Sequence, residues 1–347
     1  MKTYINPNRN TWDEILKRPL FSVAELRDRV QDILTDIQNV GIEALRKYTE
    51  KFDGVFISNL TVSPEEVEEA YNLVDSNLKD AIIIAAANIQ KFHESQVPQT
   101  KRIETTSGVI CWQKAVAIDK VGLYVPGGSA PLFSTVLMLA IPAKIAGCKE
   151  IVLCTPPDKD GKINPAILFT AKLVGVTKIF KLGGIQAIGA MAYGIDCFPK
   201  VNKIFGPGNQ YVMAAKQLVS SDVAIDMPAG PSEVAVMADS SANPAFIAAD
   251  LLSQAEHGPD SQVVLVTNDP SLIEKVVQEL TSQLNELPRQ TIAEKALANS
   301  QTVVLDRIED MIDLINGYAP EHLIIAMENY SEVAENSDQD NEGDRHP

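Results

Sequence analysis

Between Val121 and Ile315, short runs rich in β-branched residues alternate with stretches of helical periodicity, and that alternation confines the chain to parallel sheets with crossover helices. The runs fall at 121–125, 151–154, 179–182, 203–205 and 223–225, with helices expected over 135–146, 165–173, 186–193 and 209–219. A second set of runs at 233–237, 263–267 and 302–305 is separated by helical stretches at 244–257, 271–286 and 308–315. The sequence therefore predicts two α/β domains, with the change between them at Gly230-Pro231.

Ahead of this region, apolar residues recur at helical spacing over 22–52 and 63–92, as in Leu26, Val30, Ile33, Leu34, Ile37 and Val40. A polar, proline-containing connection at 95–108 leads to two β-rich runs, 109–112 and 116–118. The expected division is residues 121–232 as one domain and residues 1–120 plus 233–335, with the N-terminal helices, as a discontinuous other. A further strand is expected at 323–327, and it needs neighbours. Residues 336–347 hold four acids, one Arg, one His and no aliphatic side chain, a composition that builds no core and predicts a disordered tail.

Charge narrows the partners. Lys plus Arg number 30 against 46 Asp plus Glu, so the net charge is 30 − 46 = −16, which repels phosphate backbones and anionic lipid. No nucleic-acid and no membrane partner is expected, and no apolar run approaches the ~18 residues of a span. Cys111, Cys148, Cys154 and Cys197 show no paired spacing and sit mostly in apolar surroundings, which fits buried thiols in a reducing, cytoplasmic setting. The N-terminus, Met1-Lys2-Thr3-Tyr4, has no apolar export region.

Three patterns carry chemistry. In the helix that opens at Asn243-Pro244, Asp250, Gln254 and His257 stand at i, i+4 and i+7 and share a face. That stripe is either part of a metal site, with Gln254 and His257 as ligands and Asp250 in support, or a polar face turned to solvent; a complete zinc site needs about four ligands. In Gly317-Tyr318-Ala319-Pro320-Glu321-His322, a carboxylate and an imidazole are adjacent at the mouth of a strand and can divide proton work. By pattern alone, a histidine satisfied by a loop carbonyl accounts for His322 better. Glycine-rich turns at 126–131, 183–184, 206–211 and 230–232 follow expected strands, where open α/β sheets bind ligands, although none completes GxGxxG.

Taken together, Val121-Gly-Leu-Tyr-Val-Pro-Gly-Gly-Ser-Ala-Pro131, Gly183-Gly-Ile-Gln186, Gly206-Pro-Gly-Asn209, Ala229-Gly-Pro-Ser-Glu233, Leu252-Ser-Gln-Ala-Glu-His257 and Ala319-Pro-Glu-His-Leu323 closely resemble the histidinol dehydrogenase family. The resemblance implies two incomplete Rossmann-like, doubly wound domains. It also implies a homodimeric, zinc-assisted enzyme that oxidises L-histidinol through L-histidinaldehyde to L-histidine with two NAD. On that basis Tyr124, Gln186 and Asn209 contact NAD; Ser232, Gln254, His257 and His322 contact histidinol; Gln254 and His257 ligate zinc; and Glu321 with His322 is the acid–base pair. The resemblance ends near Glu335, short of the family's Asp and His that complete the zinc site, a substrate-binding Glu and much of the dimer. Weak zinc binding and slow turnover are the expectation from two ligands. Two other readings stand beside it: a catalytically inactive α/β protein that binds a small molecule, and a metal-free dehydrogenase for another alcohol.

Overall fold

The computed structural model describes residues 1–18, 23–127, 131–227 and 232–337. Contacts divide the chain into two compact units, one of Ser22–Pro228 and one of Met1–Phe21 with Ala229–Pro347.

In Ser22–Pro228, the strands Lys120–Tyr124, Glu150–Thr155, Lys178–Lys181, Lys203–Phe205 and Ala224–Ile225 pair in parallel throughout. Lys120–Tyr124 is central: the chain adds the next two strands on one side, then returns to add the last two on the other. Such a reversal opens a crevice at the C-terminal ends of the strands that flank it, here Lys120–Tyr124 and Lys203–Phe205. Apolar side chains cover both faces of the sheet. Leu34, Ile37 and Leu45 bury against Ile188, Met191 and Val212 in one core; Ile82, Leu137, Ile167 and Phe169 build the other.

The N-terminal helices differ from expectation in their partner. Val23–Val40, Ile42–Asp53, Pro64–Leu73 and Ser76–Glu94 lie in this unit, with the 121–232 segment, rather than with 233–335. Periodicity identifies the buried face of a helix and not what buries it. Here the match is steric: Gly189 presents no Cβ, and one built there would meet Ile37 and Leu34 at 3.2 Å. The helix Pro64–Leu73 opens with a reciprocal cap, in which Ser63 accepts from Glu66 N at 3.2 Å and Glu66 accepts from Ser63 N at 2.9 Å. Arg102–Thr106 and Val109–Trp112 form an antiparallel hairpin, exposed along its whole length. Residues 116–118, expected as a strand, find no ladder and form none.

The second unit repeats the plan. Glu233–Ala238, Gln262–Thr267 and Gln301–Val304 add in turn, His322–Ala326 pairs on the other side of Glu233–Ala238, and every pairing is parallel. Lys2–Ile5 closes the far edge beside Gln301–Val304, a strand whose polar residues conceal it from pattern reading. The helices Gln290–Ala298 and Tyr330–Glu335 were likewise not expected from the sequence. Two residues expected in the tail are held: Asn336 Nδ2 donates to Glu332 O at 2.8 Å and Ser337 Oγ to Val333 O at 2.8 Å. The rest of the segment expected to be disordered, 338–347, lies outside the described residues.

Candidate active-site residues in the two parallel-sheet units

In the unit Ser22–Pro228, the residues expected to contact a dinucleotide collect at the C-terminal ends of its strands. Tyr124 ends the central strand, Gln186 lies in the first turn of the helix Gly184–Tyr193 that follows Lys178–Lys181, and Asn209 caps the helix Gln210–Leu218. Asn209 Oδ1 accepts from Tyr211 N at 3.1 Å and Val212 N at 3.2 Å, which fixes the helix start. Tyr124 is buried, and its hydroxyl accepts from Gly184 N at 3.0 Å. Desolvation pushes its phenol up to about 12. Gln186 is fully buried; its Nε2 donates to Asp53 Oδ2 at 3.1 Å while its Oε1 has no hydrogen-bond partner among the described residues. A buried, unpaired amide oxygen beside glycine turns is a group waiting for a donor.

The loop at Gly206 is held from below. Lys216, buried on Gln210–Leu218, pairs with Asp226 and donates to Gly206 O at 3.0 Å, and Asp226 Oδ2 accepts from Gly206 N at 2.8 Å. Both polar groups of Gly206 are thus tied to an ion pair of a buried lysine and a half-buried aspartate. Lys216→Met is expected to cost about 2 kcal/mol by leaving Asp226 and Gly206 O short of a partner. The check is a lowered urea midpoint at unchanged slope; a midpoint equal to the parent's would show that the clamp contributes nothing.

Asp53 was not among the residues singled out in the sequence. It ends the helix Ile42–Asp53, and desolvation raises its carboxyl to about 6 despite the Gln186 hydrogen bond. In the unfolded chain the group titrates near 4. The folded value is the higher one, so the contribution to stability is complete below about pH 4 and is lost as pH rises through about 6. Asp53→Asn removes that loss while keeping an acceptor for Gln186. The variant's melting temperature relative to the parent is expected to rise between pH 4 and pH 6 and then level. A constant difference across that range would contradict the assignment.

In the other unit the expected residues gather at the opposite edge, the N-terminal ends of the strands. Ser232 precedes Glu233–Ala238, Glu321 precedes His322–Ala326, and these two strands are neighbours with His322 opposite Val234. His322 and Glu321 are exposed side chains, with Nε2 to Oε1 at 3.7 Å, and Glu321 Oε2 accepts from Glu233 N at 3.4 Å. Gln254, buried, and His257, exposed, stand at the end of the helix Pro244–Ala255, where His257 N donates to Gln254 O at 3.2 Å. The connection onward returns to Ser232, whose carbonyl accepts from Gln262 N at 3.1 Å. Asp250, one turn earlier on that helix, is half-buried, and burial pushes its carboxyl upward. Among the described residues no group of three or more His, Cys, Asp and Glu side chains could hold a metal.

Sequence reasoning missed Asp53, Lys216, Asp226, Arg18 and Glu233, all of which act through long-range pairing. Arg18 pairs with Glu233, 215 positions away, and nothing local to either residue announces it. The glycine turn ending at Ser232 falls between the strands Ala224–Ile225 and Glu233–Ala238 in sequence, as expected, and its residues 230 and 231 lie outside the described residues.

Both units are parallel doubly wound sheets, the first with glycine turns at its reversal point and the second with an exposed carboxylate–imidazole pair, which is the architecture of an α/β enzyme. The histidinol dehydrogenase family model matches residues 16–340, and the chain belongs to that family. The histidinol dehydrogenase of Bacteroides thetaiotaomicron is 59% identical over 336 residues, covering 96% of this chain and 78% of the relative. That of Campylobacter jejuni is 50% identical over 334 residues, covering 95% and 77%. The crystal structure of histidinol dehydrogenase from Elizabethkingia anophelis superposes with a TM-score of 0.94 at 54% identity, over 97% of this chain and 78% of that one.

Proposed function

We propose that this chain oxidises L-histidinol through L-histidinaldehyde to L-histidine, the closing steps of histidine biosynthesis, with NAD as the oxidant. The observation that carries this reading is the Glu321–His322 pair at 3.7 Å, exposed at the start of a strand whose neighbour begins just after Ser232. An alcohol oxidation needs a base for the hydroxyl proton as hydride leaves carbon, and in this reading His322 is that base. Oxidation of the aldehyde needs water added to the carbonyl first, and Glu321 is the base for that water. The first step releases one proton and one NADH; the second consumes water and releases a second NADH and two protons. Ser232, Gln254, His257 and His322 bind the substrate.

For NAD, the fit lies in the unpaired Gln186 Oε1, the Asn209-capped helix start and Gly206, where no side chain has room. Tyr124, Gln186 and Asn209 would hold it. For zinc, Gln254 and His257 would supply an amide oxygen and an imidazole nitrogen from one helix end, two donors toward about four. Zinc held there would supply Lewis-acid stabilisation of the bound substrate.

A homodimer fits the hairpin of Arg102–Trp112, which carries Ile103, Ile110 and Trp112 more than half exposed, since an isolated two-stranded ribbon is marginal in water. Four free cysteines support a cytoplasmic setting, and no helix among the described residues is long and apolar enough to cross a membrane.

The test is NADH formation from L-histidinol and NAD by the purified chain, with and without zinc and with a chelator. Chelator-sensitive NADH formation is expected. Folded protein that forms none refutes the reading, and activity untouched by chelator refutes the zinc part alone.

A further inference from the structure

We propose that Arg18 is a positioning residue for the Glu321–His322 pair, acting through Glu233 and the turn at Tyr318-Ala319; the proposal rests on the acid–base roles given above. The guanidinium lies against both oxygens of Glu233, with Nε on Oε1 and Nη2 on Oε2 at 2.9 Å. The same Nη2 donates to Tyr318 O at 2.6 Å and Ala319 O at 3.2 Å, and the group sits 4.7 Å from the Tyr318 ring centroid. Glu233 is 2% exposed, so this carboxylate is taken out of water and given a cation.

These contacts lead to the site. Two residues separate Tyr318 from Glu321, and between them Ala319 holds φ +45°, a left-handed conformation that costs a residue with a Cβ. Arg18 grips the carbonyls on either side of that strained position. From the other direction, the backbone N–H of Glu233 donates to Glu321 Oε2 at 3.4 Å, so fixing Glu233 fixes a donor to the carboxylate. Tyr318 continues the network: its hydroxyl donates to Gln262 Oε1 at 2.9 Å, and Gln262 N donates to Ser232 O at 3.1 Å. One planar fork thus ties the end of the helix Ile308–Tyr318 to the start of the strand Glu233–Ala238, and the proton-transferring pair lies on the segment it holds. Lysine has one point of charge and cannot span these acceptors. Loss of the fork leaves the pair's chemistry intact and its placement loose, and displacement on the order of 1 Å costs about 100-fold in rate.

The experiment compares the parent chain, Arg18→Lys, Arg18→Ala and the double variant Arg18→Met/Glu233→Met, which removes both charges and leaves no buried carboxylate without its cation. Expected for the folded double variant is a fall in kcat of about 100-fold with KM for NAD within about twofold of the parent, because the dinucleotide loops belong to the other unit. Millimolar guanidinium is expected to restore part of the kcat lost in Arg18→Ala, where Glu233 remains to bind it, and none in the double variant. A folded double variant with kcat within about threefold of the parent overturns the proposal. If the double variant does not fold, Arg18→Lys decides: a fall beyond about tenfold at unchanged KM for NAD supports the role, and parent-like kcat overturns it. A parent chain that forms no NADH from histidinol overturns the functional reading and this proposal together; an active parent with unimpaired variants overturns this proposal alone.

Discussion

Glu321→Gln is expected to lower oxidation of supplied L-histidinaldehyde by about 10²- to 10⁴-fold, the range of general base catalysis, while histidinol oxidation to the aldehyde falls far less. The amide keeps the size of the side chain and can still accept from Glu233 N, so the geometry of the turn survives. What is lost is a group able to take a proton from water. On the proposed division of roles the two half-reactions separate, because alcohol oxidation asks only His322 for a base, whereas aldehyde oxidation needs the added water. The check is single-turnover kinetics with each substrate in turn. Equal loss in both half-reactions would contradict the division of roles, and loss in neither would remove Glu321 from the chemistry.

Gly206→Ala is expected to destabilise the chain by about 3 kcal/mol or more, near the upper end for single substitutions. Two independent faults coincide there. The backbone holds φ +132°, which side chains rarely adopt, and a Cβ would sit 2.0 Å from Tyr124 O. Relief by moving the loop would break the Lys216 and Asp226 contacts to the same residue. Gly54→Ala is the matched control, since φ is +75° with nothing within 4 Å of the added carbon, so about 1 kcal/mol of left-handed strain is the whole expected cost. Denaturant midpoints of the two variants read the difference; similar losses at both positions would show that the contact with Tyr124 O is not limiting.

Much of the fold is legible because its cause is local. The continuous apolar run Ile151-Val152-Leu153-Cys154 reads as a strand buried on both faces, and it is one. Asn243-Pro244 and Asn164-Pro165 announce helix starts through a side-chain acceptor and a residue without an N–H, and both helices begin there. What escapes is whatever a distant partner decides. Lys2–Ile5 becomes a strand because Gln301–Val304 offers it an edge. The N-terminal helices carry a clear apolar stripe, yet the small face at Gly189 that receives it is more than a hundred positions away.

The candidate site divides in the same way. Glu321-His322, Gln254 and His257 stand out by residue type, and Tyr124, Gln186 and Asn209 by the glycine turns around them. Their supports do not. Asp53 reads as an ordinary helix-end carboxylate until Gln186 is found against it, and Arg18 reads as a surface charge until Glu233 is found buried beneath it. The residues expected to hold NAD lie at the C-terminal ends of the first unit's strands, the end at which open parallel sheets bind ligands. Ser232, Glu321 and His322 lie at the N-terminal ends of their strands, because each is the last residue of an incoming connection or the first of its strand.

The most direct test of the central claim is a stoichiometry. With histidinol limiting and NAD in excess, the purified chain is expected to form two NADH for each histidinol consumed and to leave histidine, because one site completes both oxidations. One NADH per histidinol with accumulating aldehyde would contradict the account, since Glu321 would then not be the base that carries the aldehyde to the acid.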